Sequence, residues 1–223
     1  MSDELKRQAA ELAVRRLESG MVVGLGTGST AAFAVQAIAS RLRSGELREI
    51  VGIPTSTRTR ELAAHEGIPL TTLNEHPQVD LTIDGADEVD PAGDLIKGGG
   101  GALLWEKIVA AATRTYVIVV DASKLVDVLG RTCPVPVEVM PFGWTTHLDT
   151  VRALGGTPTL RCDAAGEPFV TDGGHYILDC LFPDGLPEAR RADDAIRRRP
   201  GVVETGLFLG MTPEVIVGRP RQT

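Results

Sequence analysis

The sequence predicts a doubly wound, mostly parallel α/β sheet of Rossmann-like type with a second, smaller α/β domain, on three observations. Helical apolar spacing alternates with short apolar runs through the first half of the chain. A glycine-rich turn follows the first of those runs. After Gly130 the texture changes, with Pro134, Pro136 and Pro141 spaced through an apolar stretch.

Leu5, Ala9, Leu12, Ala13 and Leu17 recur at helical spacing, and the segment closes at Gly20 before the apolar run Met21-Val22-Val23. The pattern repeats as a helix near Thr30 to Arg43, a strand at Ile50 to Ile53, a helix near Thr57 to His65 and a strand at Leu70 to Leu73. Asp80 to Asp84 is a further buried strand, followed by a Gly-rich loop, a helix near Ala102 to Ala112 and the strand Tyr116 to Val120. Such alternation implies a parallel sheet covered on both faces. The smaller domain begins with a helix near Thr145 to Leu154, short strands around Thr159 and Tyr176, and a basic amphipathic helix from Pro187 to Arg199. Arg197, Arg198 and Arg199 crowd its last turn, where cations complement the helix dipole. Val202-Val203 and Val215-Ile216-Val217 are strand-like and fit either sheet. The expected division is 1–130 with 205–223 for the Rossmann-like catalytic domain and 131–204 for the smaller one.

Composition narrows the partners. The 223 residues are 43% hydrophobic, enough for a real core, and 23 Lys and Arg against 30 Asp and Glu give a net charge of -7. That balance disfavours binding to nucleic acid or anionic membranes as a main role. The amino-terminal segment is charged throughout, and no run approaches the about 18 apolar residues of a membrane span, so a cytoplasmic protein is expected. Cys133, Cys162 and Cys180 are odd in number and lack CxxC spacing, which suggests neither a disulfide framework nor a zinc site.

Three loops carry the chemistry. In Gly24-Leu25-Gly26-Thr27-Gly28-Ser29-Thr30, glycines allow close backbone approach and the following helix N-terminus offers N–H groups to an anion such as phosphate. Ser29 stands where the dinucleotide fingerprint expects a third Gly, and the hydroxyls favour a phosphate monoester, although a plain turn before a helix remains open. Asp84-Gly85-Ala86-Asp87-Glu88-Val89-Asp90 places four acids after a buried strand, at the edge where open α/β sheets bind ligands. A solvated turn, a divalent-metal site and a site for sugar hydroxyls and proton transfer all fit it. In Lys97-Gly98-Gly99-Gly100-Gly101 the bare backbone costs conformational entropy that a function would explain, and Lys97 can neutralise an oxyanion. Glu106, in the next helix, can project toward the same edge, although a surface glutamate fits its helical position equally.

Together with Asp121-Ala122-Ser123-Lys124, these loops resemble the A-type ribose-5-phosphate isomerases over nearly the whole chain. GLGTGST, DGADEVD and KGGGGALLWEK carry the resemblance, and PVEVMPFGW, TDGGHYILDC and PGVVETGLF look like later markers. The resemblance implies substrate binding by Lys6, Thr27, Gly28, Ser29, Thr30, Asp84, Gly85, Ala86, Asp87, Lys97, Gly98, Gly99, Gly100 and Lys124. It implies Glu106 as the catalytic base, Lys97 with backbone N–H groups as enediolate stabilisers, and Asp84 with Asp87 for ring opening and hydroxyl alignment. It also implies a homodimer or a dimer of dimers, acting on a sugar phosphate with no metal and no cofactor. Trp105, Gly173, His175 and Thr205 depart from the residues common there, the first from Arg and the others from Asn. A sugar-phosphate sensor and a metal-dependent phosphohydrolase are the competing readings.

Overall fold

Residues 3–218 are described in the computed structural model. In chain order the elements begin with α1 (Asp3–Val14), β1 (Val22–Leu25), α2 (Ser29–Arg43), β2 (Val51–Pro54), α3 (Thr57–His65) and β3 (Val79–Asp84). Next come β4 (Glu88–Val89), β5 (Leu95–Ile96), α4 (Leu103–Ala111), β6 (Thr113–Asp121), β7 (Val135–Val139) and α5 (Leu148–Ala153). The chain continues as β8 (Thr157–Leu160), β9 (Tyr176–Leu181), α6 (Ala189–Arg197), β10 (Val202–Thr205), β11 (Leu207–Phe208) and β12 (Glu214–Gly218).

The chain divides into two compact units. The first takes the chain up to Ala86, Trp105–Lys124 and the chain from Met211 on. Its sheet runs β12-β6-β3-β1-β2 with every neighbour parallel. Apolar side chains of α1 and α2, among them Ala9, Ala13, Val35 and Ile38, pack against Val23, Leu81, Ile83, Val117 and Val119 of the strands. Ile53, Val79 and Val109 form a smaller cluster. From β1 the strand order runs outward to β2 on one side and to β3 on the other, so a topological switch point lies between β1 and β3, where open α/β sheets form their ligand crevice.

The expected strand at Leu70 to Leu73 is absent. Leu70 makes a single bridge to Gly52, after which Thr72 and Glu75 close a turn through Thr72 Oγ1 and the Glu75 carboxylate. The hydroxyl-acid turn satisfies the backbone locally and ends the pairing.

The second unit, Asp87–Leu104 with Leu125–Gly210, holds an antiparallel sheet in the order β10-β7-β9-β8 and a small sheet in the order β11-β5-β4. Val135, Val137, Val139, Leu178, Cys180 and Phe182 pack with Val151, Ala192 and Ile196. Burial pushes the Cys180 thiol up to about 12, which makes it an inert packing group. The proline-punctuated stretch forms an inner strand, β7, whose Pro136 oxygen accepts from the Gly206 N–H. Of the two late apolar runs, β10 joins this sheet and β12 joins the parallel one.

Three of the departures lie in the second unit. His175 Nδ1 and Thr171 Oγ1 both bond Oε1 of buried Glu138, and a Cβ at Gly173 would stand 3.1 Å from His175 Nδ1. The missing side chain at 173 thus makes room for the imidazole at 175. Thr205 donates its hydroxyl to Asp193 in α6.

Candidate active site

In the first unit β1, β2, β3 and β6 all end at one edge of the sheet, and the loops leaving them carry the hydroxyl and acidic residues. Gly26 passes so close to Asp84 that a Cβ would lie 2.5 Å from the Asp84 backbone Cα, which requires glycine. Thr27 and Gly85 donate their backbone N–H groups to Asp84 Oδ1 at 3.1 and 2.8 Å. Asp84, wholly buried, therefore ties the β1 loop to the β3 loop at the switch point.

The next residue, Gly28, has φ 114° and caps α2 without a side-chain hydrogen bond. No acidic residue lies in the first turn of α2, so the helix presents Ser29, Thr30 and its positive dipole end to an anion. Thr27 turns its hydroxyl inward instead. Its Oγ1 lies 2.8 Å from Thr55 Oγ1 and from Ser56 Oγ, and 3.3 Å from Thr59 Oγ1.

These three partners went unnoticed in the sequence. Ser56 caps α3 by accepting from the Thr59 N–H, and Thr59 Oγ1 donates to the Gly26 oxygen at 3.0 Å. The signal available was the run Thr55-Ser56-Thr57 with Thr59, hydroxyls clustered after the strand next to β1. The network holds the anion loop from beneath. Thr59→Val is expected to lower stability by about 1 kcal/mol and to weaken inorganic phosphate binding about threefold, read by denaturant titration and isothermal calorimetry. Unchanged phosphate affinity would remove the supporting role.

Helix α4 connects parallel β3 and β6, so it runs back against the strands and its first turn lies at their carboxyl edge. Glu106 occupies that turn and is 4% exposed. Trp105, beside it, lines a cleft of about 570 Å³ with Leu70, Leu73 and Ile108. Lys124 ends a 3₁₀ turn at Ala122–Lys124 that follows β6. Burial works against ionising Asp121 in this turn, but bonds from the Ser123 N–H and hydroxyl prevail and hold its carboxyl below the usual range. Lys6 lies in α1, 3.6 Å from Asp3.

The chain passes into the second unit between Ala86 and Asp87, and the acidic loop does not act as one cluster. Asp87 Oδ2 accepts from the Gly99 N–H at 2.8 Å. Glu88 is buried and receives four donors: the N–H groups of Gly130, Thr132 and Cys133 and the Thr132 hydroxyl. Asp90 folds its own turn by accepting from Ala92 and Asp94. Glu88 and Asp90 are thus structural, and among the described residues no group of three or more His, Cys, Asp or Glu is arranged to hold a metal ion.

Lys97 is 2% exposed, with its Nζ 5.7 Å from the Phe208 ring centroid and its N–H bonded to the Gly206 oxygen. The following glycines turn tightly, the Gly101 N–H closing on the Gly98 oxygen at 2.9 Å. A Cβ at Gly99 would lie 2.8 Å from the Asp87 carboxylate. The first unit thus gathers the anion loop, Asp84, Glu106 and Lys124, and the second gathers Asp87, Lys97 and the glycines.

Residues 51–222 match the model of the family described as ribose 5-phosphate isomerase A (phosphoriboisomerase A). The ribose-5-phosphate isomerase A of Gloeobacter violaceus is 59% identical, the match covering 96% of this chain and 92% of that protein. The solved ribose 5-phosphate isomerase from Plasmodium falciparum superposes with a TM-score of 0.95 at 39% identity, covering 99% of this chain and 96% of that one. A solved D-ribose-5-phosphate isomerase in complex with phospho-erythronic acid gives a TM-score of 0.93 at 38% identity, covering 96% and 94%. Among the described residues no helix is long and apolar enough to cross a membrane.

Proposed function

From the premise that the chain belongs to the ribose 5-phosphate isomerase A family, we propose how its residues interconvert D-ribose 5-phosphate and D-ribulose 5-phosphate. The observation that carries the reading is in the first unit: an uncapped helix N-terminus and a buried carboxylate, Glu106, at the same strand edge. One suits a phosphate and the other a proton shuttle.

Ser29, Thr30 and the first N–H groups of α2 receive the phosphate, with Lys6 and Lys124 supplying positive charge. Asp84 holds the loop in register and, with Asp87, aligns the sugar hydroxyls and moves the proton that opens the furanose. Glu106 then removes the C2 proton of the open aldose. The electron pair moves into a C1–C2 double bond and the aldehyde oxygen becomes an enediolate oxyanion. Lys97 and backbone N–H groups of the glycine loop stabilise that charge. Glu106 returns the proton to C1 while the proton on the C2 oxygen passes to the C1 oxygen, leaving a ketone at C2. Hydrogen moves only as protons within one substrate, so the reading requires neither a redox cofactor nor a metal. Phospho-erythronic acid, bound by the solved relative, joins a phosphate to a carboxylate, an anion pair of the kind these groups would receive. From membership of the family we also propose a cytoplasmic location and a homodimeric assembly.

The test is proton NMR of ribose 5-phosphate with the protein in deuterium oxide containing EDTA. Appearance of ribulose 5-phosphate with deuterium at the exchanging carbon is the expected result. Intact substrate that shows saturable binding would instead favour a sugar-phosphate sensor, and activity abolished by EDTA would favour metal-dependent chemistry.

A further inference from the structure

Arg161, just beyond β8, belongs to none of the motifs, yet three of its nitrogens are engaged within the second unit. Its Nε and Nη2 form a fork on the two carboxylate oxygens of Asp179 in β9, at 2.8 and 2.5 Å. Its Nη1 donates to the carbonyl oxygens of Gly98 and Gly99, at 3.1 and 3.2 Å. The guanidinium lies 5.8 Å from the centroid of the Phe169 ring, and that ring fills the position a Cβ on Gly101 would take, 2.6 Å away. The Arg161 side chain is 15% exposed, so a desolvated cation is aimed at two backbone carbonyls of the glycine loop.

The planar peptide gives that contact a consequence. A carbonyl and the N–H of the next residue point in opposite directions across one rigid unit. Holding the Gly98 oxygen toward Arg161 turns the Gly99 N–H the other way, where it meets Asp87 Oδ2. Holding the Gly99 oxygen likewise turns the Gly100 N–H away from Arg161. We infer that Arg161, oriented by Asp179, is a positioning residue for the isomerisation: it fixes two consecutive peptide planes so that the Gly99 N–H holds Asp87 in place and the Gly100 N–H is turned toward the enediolate oxyanion. The inference rests on the isomerase reading above. A guanidinium serves here because it forks one carboxylate and still reaches the carbonyls, which the single ammonium of Lys cannot reproduce. Four glycines that could otherwise sample many conformations thereby hold one donor geometry.

Arg161→Ala is expected to lower kcat about 10²-fold, the scale of a small misplacement of reacting groups, while inorganic phosphate inhibits as it does in the unsubstituted enzyme. Added guanidinium chloride should restore kcat about tenfold by occupying the vacated site, at concentrations that leave the melting temperature unchanged. Turnover within about threefold of normal would overturn the inference. A loss shared equally by turnover and phosphate affinity with no guanidinium rescue would also overturn it, because that pattern marks a general structural tether. If Arg161→Ala does not fold, Asp179→Asn keeps the side-chain shape and removes the orienting charge; a kcat reduced about tenfold with phosphate inhibition intact supports the role, and normal kcat sinks it. The unsubstituted enzyme is assayed first. Its failure to turn over removes the isomerase reading and this inference together, whereas normal turnover beside an unimpaired Arg161→Ala removes the inference alone.

Discussion

Replacing Glu106 by Gln is expected to lower turnover by about 10²-fold or more while binding of the sugar phosphate persists. Gln preserves the volume and most of the hydrogen bonding of a side chain only 4% exposed in α4, so packing is retained. What it cannot do is accept and return a proton. The decisive pair of measurements is kcat and the exchange of the substrate C2 proton with deuterium oxide. Both should fall together, because the proposed base serves each. Near-normal turnover and exchange in Glu106→Gln would move the base to another carboxylate.

The largest expected effect on stability lies at Glu88, in the middle of the acidic motif. Glu88→Ala leaves the N–H groups of buried Gly130, half-buried Cys133 and exposed Thr132 without their acceptor. Each donor left buried costs about 1–3 kcal/mol, so the loss at Gly130 and Cys133 together is expected to reach about 3 kcal/mol. For a chain of 223 residues this lowers the melting temperature by roughly 6–12 °C. Calorimetry is the check. A shift below about 2 °C would show that water or a neighbouring group takes over the three donors. Glu88→Gln should fall between, since one oxygen still accepts while the new amide faces a donor with a donor.

The contrast between Glu88 and its neighbours explains much of what the sequence did and did not disclose. Gly24 to Thr30 was legible because its chemistry is local: glycine for close approach, hydroxyls at a helix start, and a strand before it. Lys97 and the four glycines were legible for the same reason. Adjacency in DGADEVD, however, conceals direction, because successive side chains of extended backbone face opposite ways. Asp87 therefore reaches Gly99, and Glu88 turns into the core to hold residues 130–133.

Thr55, Ser56 and Thr59 were obscure because an N-capping Ser56 already accounts for hydroxyls at a helix start. Their bonds to Thr27 and Gly26 depend on β1 and β2 being neighbours, which no local pattern encodes. The inner strand β7 was hidden by Pro134 and Pro136, which ordinarily argue against such a position. Arg161 was invisible for a related reason. It contacts the glycine loop across some sixty positions of sequence, a separation that no local pattern encodes.

The interleaving of the two units also bears on how the polypeptide is made. Chain crossings after Ala86, Leu104, Lys124 and Gly210 mean that neither unit is a contiguous stretch that could be excised and expressed by itself. Every group proposed to touch the substrate has left the ribosome once Lys124 has, yet β6 then still lacks its outer neighbour, β12. Until Glu214–Gly218 is synthesised, the apolar run Val117 to Val120 sits beside an unpaired edge, the arrangement most open to misassembly with another nascent chain. A premature stop before Glu214 would thus yield a polypeptide complete in its proposed catalytic groups but dependent on chaperones to remain in solution.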